Sequence, residues 1–227
     1  MTLHMEPLAA PPPDAVLVGD PRRAFALAQA LTDEPRMTHI ARGLWGYLGR
    51  FGSGSLTVQS TGAGGGPAAV VVTDLAAQGV GRMVRLGTCE AVDPNLELGT
   101  VLVVRRAIGE DGASACLTGS QGSVLEPDPL LTAGLTGAGP PVEVTSRDLV
   151  GRIDPGPDPA SPVRDLQTAA FLAAASGSGV AAATILVVAG NGAGRRLPEK
   201  GIEGSLSALG PLLHDVLGRP ARSNPKP

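Results

Sequence analysis

The feature that most constrains this chain is an alternation of short apolar runs with helical segments, set up within its first ninety residues. "AVLV" (15–18) reads as a short buried strand stopped by "GDP". "RRAFALAQAL" (22–31) follows as a helix, with Asp20 placed to cap it and Pro21 in its first turn. "WGYLGRF" and "SLTVQS", joined by Gly52-Ser53-Gly54, read as a hairpin. A glycine-rich stretch, "STGAGGGPAA" (60–69), leads into the helical "AVVVTDLAAQ", which ends at Gln78 with Gly79 as its C-cap, and then into the strand "RMVRLG" (82–87). "TVLVVRRAI" (100–108), "VEVT" (142–145) and "AATILVVAG" (182–190) supply further strands. "VRDLQTAAFLAAAS" (163–176) and "SLSALGPLLHDVLG" (205–218) supply helices, the second kinked at Gly210-Pro211. Strands alternating with helices predict an α/β layered fold.

A chain of 227 residues holds one sizeable core and is short for two. The expected organisation is therefore an N-terminal arm (1–14), one domain (15–218) and a Pro-rich tail (219–227), with both ends extended or disordered. A net charge of −3 offers no basic field for nucleic acid or an anionic membrane, so a small-molecule partner is expected. The two cysteines, Cys89 and Cys116, are too few for a disulfide framework and lack metal-site spacing. No N-terminal pattern resembles a signal peptide, and no apolar run approaches the roughly 20 residues of a membrane helix, so a cytoplasmic protein is expected.

Three arginines stand where an anion would want them: Arg23 in the first turn after "GDP", Arg42 in "ARGLWG", and Arg85 before Gly87 and Thr88. The planar guanidinium matches phosphate bidentately, and helix-start amides add donors, so the three together suggest a phosphate clamp. Singly, each reads as a solvated surface residue. Arg85 is the exception, because an arginine inside "MVRLG" needs a partner or must sit at a strand end facing a ligand. Asp165 and Gln167 fall early on the 163–176 helix, where both can border one cleft; the alternative is dipole stabilisation by Asp165 and a solvent-exposed Gln167. "GNGAGRR" (190–196) lacks the Gly-x-Gly-x-x-Gly spacing and the β–α–β unit of a dinucleotide site. His4, His39 and His214 show no metal spacing, and no Gly-x-Ser-x-Gly elbow marks a serine hydrolase. The glycines of "STGAGGGPAA" are consistent with a tight turn or with backbone lining a pocket.

Several segments, taken in order, resemble the nucleoside phosphorylase superfamily of the hexameric bacterial type, most closely its uridine phosphorylase-like branch. They are "VGDPRRA" (18–24), "ARGLWGYLG" (41–49), "STGAGGGPAA" (60–69), "VRLGTCEAV" (84–92), "LGTVLVVRRAIGEDGAS" (98–114), "VTSRDLV" (144–150) and "RDLQTAAFLAAA" (164–175). The resemblance implies a three-layer α/β/α sandwich with a central mixed, partly barrel-like sheet. It implies phosphorolysis of a nucleoside to free base and ribose 1-phosphate, with inorganic phosphate as co-substrate and no metal or organic cofactor. It assigns phosphate to Gly19, Arg23, Arg85 and Thr88, and to Arg42 from a neighbouring subunit in a dimer-based hexamer. His4 would likewise reach a neighbouring subunit's ribose, joining Gly64, Gly65, Leu166 and Gln167. Val150, Arg152, Asp165 and Asn191 would face the base, with catalysis falling to Arg85 and Asn191.

The chain departs from that pattern on the base and sugar side. The family's helix ends its acidic motif on a glutamate that grips ribose, where this chain has Gln167, and the purine branch's catalytic aspartate is replaced by Gly190-Asn191. The uridine branch's base-reading loop is short here and offers only Arg152, while Arg195 and Arg196 are displaced candidates for its late arginine. Beside the phosphorylase stand two other readings: an impaired homologue that binds nucleoside or phosphate, and a hydrolytic nucleosidase.

Overall fold

The computed structural model describes residues 4–149 and 159–218. Within them one sheet of ten strands carries helices on both faces. Strand β1 (Asp14–Val18) has Ala15 to Val18 fully buried, and helix α1 (Pro21–Leu31) starts where expected, with the Asp20 carboxylate accepting the amides of Arg22 and Arg23. Next come β2 (Asp33–His39), β3 (Gly46–Phe51), β4 (Gly54–Ser60), α2 (Gly65–Ala77) and β5 (Arg82–Ala91). β6 (Val101–Gly109), α3 (Gly112–Thr118), β7 (Ser123–Leu125), α4 (Pro129–Leu135) and β8 (Pro141–Ser146) follow. The chain then forms β9 (Val163–Asp165), α5 (Thr168–Gly177), β10 (Ala181–Asn191), α6 (Glu199–Ser207) and α7 (Gly210–Leu217).

β5 organises the molecule. Residues 82–85 pair in parallel with β1, residues 90–91 pair antiparallel with β9, and along its whole length β5 runs beside β10. β10 also pairs with β6, β6 with β8, and β8 with β9, so β5, β10, β6, β8 and β9 close into a barrel from which β1, β4, β3 and β2 extend as an open wing. β1 and β9 leave β5 on the same edge, and a crevice opens between them, the switch-point position where α/β sheets bind ligands. The alternation of side chains along β5 sends Met83 to the core under α2 and α5, and Val84 and Leu86 to the core under α1, α6 and α7. This is the mixed, part-barrel α/β/α sandwich expected from the sequence.

Local expectations fail where long-range pairing intervenes. Residues 163–165, expected as helix, form β9, because Val163 and Arg164 pair with β8 and β5; the helix waits until Thr168. The closing helix is two, broken before Gly210-Pro211, and its first half starts as early as Glu199. Helix α2 starts at Gly65 rather than Ala69, so part of the glycine stretch is helical. β2 escaped notice because it is a polar, mostly exposed edge strand containing Pro35. From His4 onward the N-terminal arm is packed rather than loose: Met5 is buried, Asp74 on α2 accepts the amides of His4 and Met5, and the Leu8 amide donates to the Thr38 carbonyl.

Candidate active site

A cleft of about 390 Å³ opens where β1 and β9 part from β5. Its walls come from five segments: Gly19 to Arg23 after β1, Gly62 to Gly64 before α2, the second half of β5, residues 164–167, and Ala189, Gly190 and Arg196 at the end of β10.

Arg85 lies at the inner end. Strand alternation puts its side chain on the face of Met83, toward α5, and it is 4% exposed. Its Nη2 lies 3.2 Å from Asp165 Oδ2, Nη1 donates to Thr168 Oγ at 3.0 Å, and Nε and Nη2 donate to Gln167 Oε1 at 3.4 and 3.3 Å. With five N–H groups on a guanidinium, one Nη1 hydrogen is left for a ligand. Burial lowers the Arg85 pKa, and Asp165 opposes that shift. The same burial, reinforced by Asp165, pushes the Cys89 thiol upward, which makes it an inert part of the cleft wall. Gly87 explains itself here: a Cβ on it would fall 2.2 Å from Arg85 Nη1, so only glycine two positions on lets the guanidinium fold back over its own strand.

Asp165, expected at the base, lines the cleft as a buried hub. Its Oδ1 accepts from Ser146 Oγ at 2.6 Å and from the amides of Gln167 and Thr168, and its Oδ2 accepts from Thr168 Oγ1 at 2.6 Å. The carboxylate thereby satisfies the first amides of α5 and neutralises Arg85 together. Gln167 is a strut in this arrangement: its Nε2 donates to the Gly62 and Gly64 carbonyls at 2.6 and 3.0 Å while its Oε1 faces Arg85. Leu166 lines the cleft beside it. The expected glycine pair divides. Gly64, at φ +90°, lines the cleft with open space where a Cβ would stand. A Cβ on Gly65 would meet Asp111 Oδ1 at 2.7 Å and Ala170 Cβ at 2.9 Å, so Gly65 serves the close packing of α2 against α3 and α5 and does not face the cleft.

Arg23 reaches the cleft but is held by Glu199, Nε to Oε1 at 2.5 Å and Nη2 to Oε2 at 3.0 Å. Gly19 and Thr88 line the cleft, Thr88 from β5. Arg42 and His4 do not: they border a separate cavity of about 780 Å³ that shares no residue with the cleft. Asn191 is likewise outside it, in an adjoining cavity, where its Oδ1 accepts the Arg195 amide and closes the turn after β10. Val150 and Arg152 lie outside the described residues. The sequence reading missed Glu90, Arg164 and Glu199. Glu90 was hidden because the strand was expected to stop at Gly87, although it continues to Ala91.

The family model for the phosphorylase superfamily matches residues 13–154. The chain belongs to that superfamily. The chain is similar to a uridine phosphorylase of Haemophilus influenzae, 36% identical over 100 residues, a match covering 44% of this chain and 39% of that protein. It is also similar to a DeoD-type purine nucleoside phosphorylase of Oceanobacillus iheyensis, 31% identical over 93 residues, covering 40% of each. The chain thus spans about two-fifths of the length of these curated relatives. A crystal structure of the purine nucleoside phosphorylase from Toxoplasma gondii in complex with immucillin-H shares the fold, with a TM-score of 0.82 over 96% of this chain and 98% of that one at 20% identity. No described helix is long and apolar enough to cross a membrane.

Proposed function

We propose that this superfamily member cleaves the N-glycosidic bond of a nucleoside with inorganic phosphate. A phosphate oxygen bonds to C1′ as the C1′–N bond breaks, that bond's electron pair leaves with the base, the proton of the attacking hydrogen phosphate ends on the departing base, and free base and ribose 1-phosphate result. The observation that carries this reading is the meeting of Gly19, Arg23, Gly64, Arg85 and Thr88 on one cleft, drawn from segments far apart in sequence. Fixed donors hold the nucleophile in place and offset charge beside a cationic sugar, which is where preorganised electrostatics lower a barrier most. The reaction needs no metal and no organic cofactor. Uridine, inosine and adenosine, each incubated with purified protein, are expected to include at least one that releases base only when phosphate is present. Release that ignores phosphate would make the chain a nucleosidase, and Arg85→Ala is expected to abolish the phosphate dependence.

One observation favours a binding protein as the second reading. The two cleft arginines expected to hold phosphate are already neutralised, Arg23 by Glu199 and Arg85 by Asp165, so an incoming anion has to share them with carboxylates. Absence of base release from all three nucleosides, with phosphate binding retained, would select it.

Arg42 and His4 act in this reading only across an interface with another copy, since their cavity is separate. Around them Leu8, Met37 and Ile40 are 88%, 40% and 62% exposed, apolar surface that a second copy would cover. Light scattering is expected to show at least a dimer; a strict monomer removes both residues from the mechanism.

A further inference from the structure

The outer end of the cleft contains a row of four residues, three on neighbouring strands and the fourth at an isolated bridge. Arg164 of β9 stands opposite Glu90 of β5, Glu90 opposite Gly190 of β10, and Gly190 opposite Arg196 through an isolated bridge. Directly opposed residues share a face of the sheet. A Cβ built on Gly190 would indeed lie 3.9 Å from both Glu90 Cγ and Arg196 Cγ. The row therefore reads guanidinium, carboxylate, gap, guanidinium, and it is shared by the cleft and an adjoining cavity of about 440 Å³.

A bulge makes the gap. Val188 pairs with Cys89 and Gly190 with Glu90, so Ala189 is the extra residue. Without it, the alanine methyl would stand opposite Glu90. The carboxylate is also aimed: Arg164 Nε holds Glu90 Oε2 at 3.2 Å, and Oε1 is left without a partner on a side chain that is 13% exposed. Arg196, across the gap, pairs with no carboxylate among the described residues. Neighbouring strands lie about 4.8 Å apart, so the acceptor and the donor flank a slot roughly 10 Å wide between backbones.

We propose that Glu90 is a specificity-determining residue that reads a ring N–H of an oxo-heterocycle lying over Gly190, with Arg164 as its positioning residue. The ligand class is the lactam or imide base, in which a ring N–H stands beside a carbonyl, as in uracil and hypoxanthine. The N–H donates to Glu90 Oε1, and the carbonyl faces Arg196 across the slot. A base leaving with the bond's electron pair spreads negative charge onto that carbonyl oxygen, where the guanidinium stabilises it. A base with a ring lone pair in place of the N–H puts lone pair against carboxylate and is rejected. The proposal deepens the phosphorylase reading by naming the class of base it takes, and it rests on that reading for the identification of the ligand as a base.

The test is equilibrium binding of free bases to the whole protein, followed by base release. Wild type is expected to bind uracil and hypoxanthine at least about 10-fold more tightly than 1,3-dimethyluracil, 1-methylhypoxanthine and adenine, the cost of one unmade charge-assisted bond. Glu90→Gln keeps an oxygen for Arg164 and turns an NH₂ toward the slot, so it is expected to lose most of the preference for hypoxanthine over adenine. Gly190→Val meets only ordinary contacts at its Cβ and is expected to fold and bind no base. Equal binding of methylated and parent bases by wild type overturns the proposal, as does an unchanged hypoxanthine-to-adenine ratio in Glu90→Gln or no base binding at all. Phosphate-dependent release without discrimination would sink the role of Glu90 and leave the phosphorylase reading standing. Discrimination without any phosphate-dependent release would do the reverse.

Discussion

The two ends of the cleft are built on opposite principles. At the inner end Arg85, Asp165, Gln167 and Thr168 bind one another so completely that each side chain is buried and nearly every donor and acceptor is used. At the outer end Glu90 has a single partner, Gly190 contributes no side chain, and Arg196 is exposed. A saturated network fixes geometry and resists change, because removing one member leaves others buried and unpaired. A sparse row offers unused hydrogen-bonding capacity, which a ligand completes. Rigidity and recognition are thus separated along one groove, with β5 supplying a residue to each.

The largest expected effect tests the saturated end. Asp165→Ala strands the Arg85 charge and removes acceptors from Ser146 and from the start of α5, so chemical denaturation is expected to show a loss of about 3–5 kcal/mol. A loss under about 1 kcal/mol would mean that the inner end is not the rigid half. Gly87→Ala comes next. Its methyl would occupy the place of the Arg85 guanidinium, and overpacking of this kind costs about 1–3 kcal/mol. Phosphate KM is expected to rise with it, whereas a variant with wild-type stability and KM would show that the fold-back of Arg85 is dispensable.

Arg23→Ala separates function from stability more cleanly. The Arg23 and Glu199 side chains are 17% and 54% exposed, and such pairs contribute at most about 1 kcal/mol. Thermal stability is expected to change little while phosphate affinity falls by about 10-fold, the worth of one charged hydrogen bond; the opposite pattern would make Arg23 a structural residue. The smallest effect concerns Cys89. Its thiol pKa is raised above the ordinary 9.0 by burial, so above that pH the unfolded chain gives up a proton that the folded chain keeps. Stability is expected to fall as pH rises above 9 through this group, by at most about 1.4 kcal/mol per pH unit, and a pH series on Cys89→Ala should lack that component. Identical slopes would place the thiol in a wetter site than the inner end provides.

Much of the fold was legible because its signals are local. "AVLV" stopped by Gly19, the Asp20 cap with Pro21 behind it, and the Gly52-Ser53-Gly54 hairpin each depend on a few adjacent residues, and each stands where expected. The need of Arg85 for a partner was legible too, since a charge inside an apolar strand cannot be left unpaired. What stayed hidden was set by pairings across long stretches of chain. Residues 163–165 have a helical pattern yet become β9 because β5 and β8 offer them strand partners.

From its sequence alone the chain declared alternating strands and helices, the ordered set of phosphorylase-like segments, and a buried arginine in want of a counter-charge. The tertiary structure alone decided that Asp165 is that counter-charge, that Gly65 packs helices while Gly64 lines the cleft, and that Arg42 and His4 border a different cavity. It alone placed Glu90 beside Gly190, across one hundred residues of chain and at the site of a bulge. The reason is physical: caps and alternation are decided within a few residues, whereas a site is decided by which strands become neighbours, and that choice is made by burial of the whole sheet.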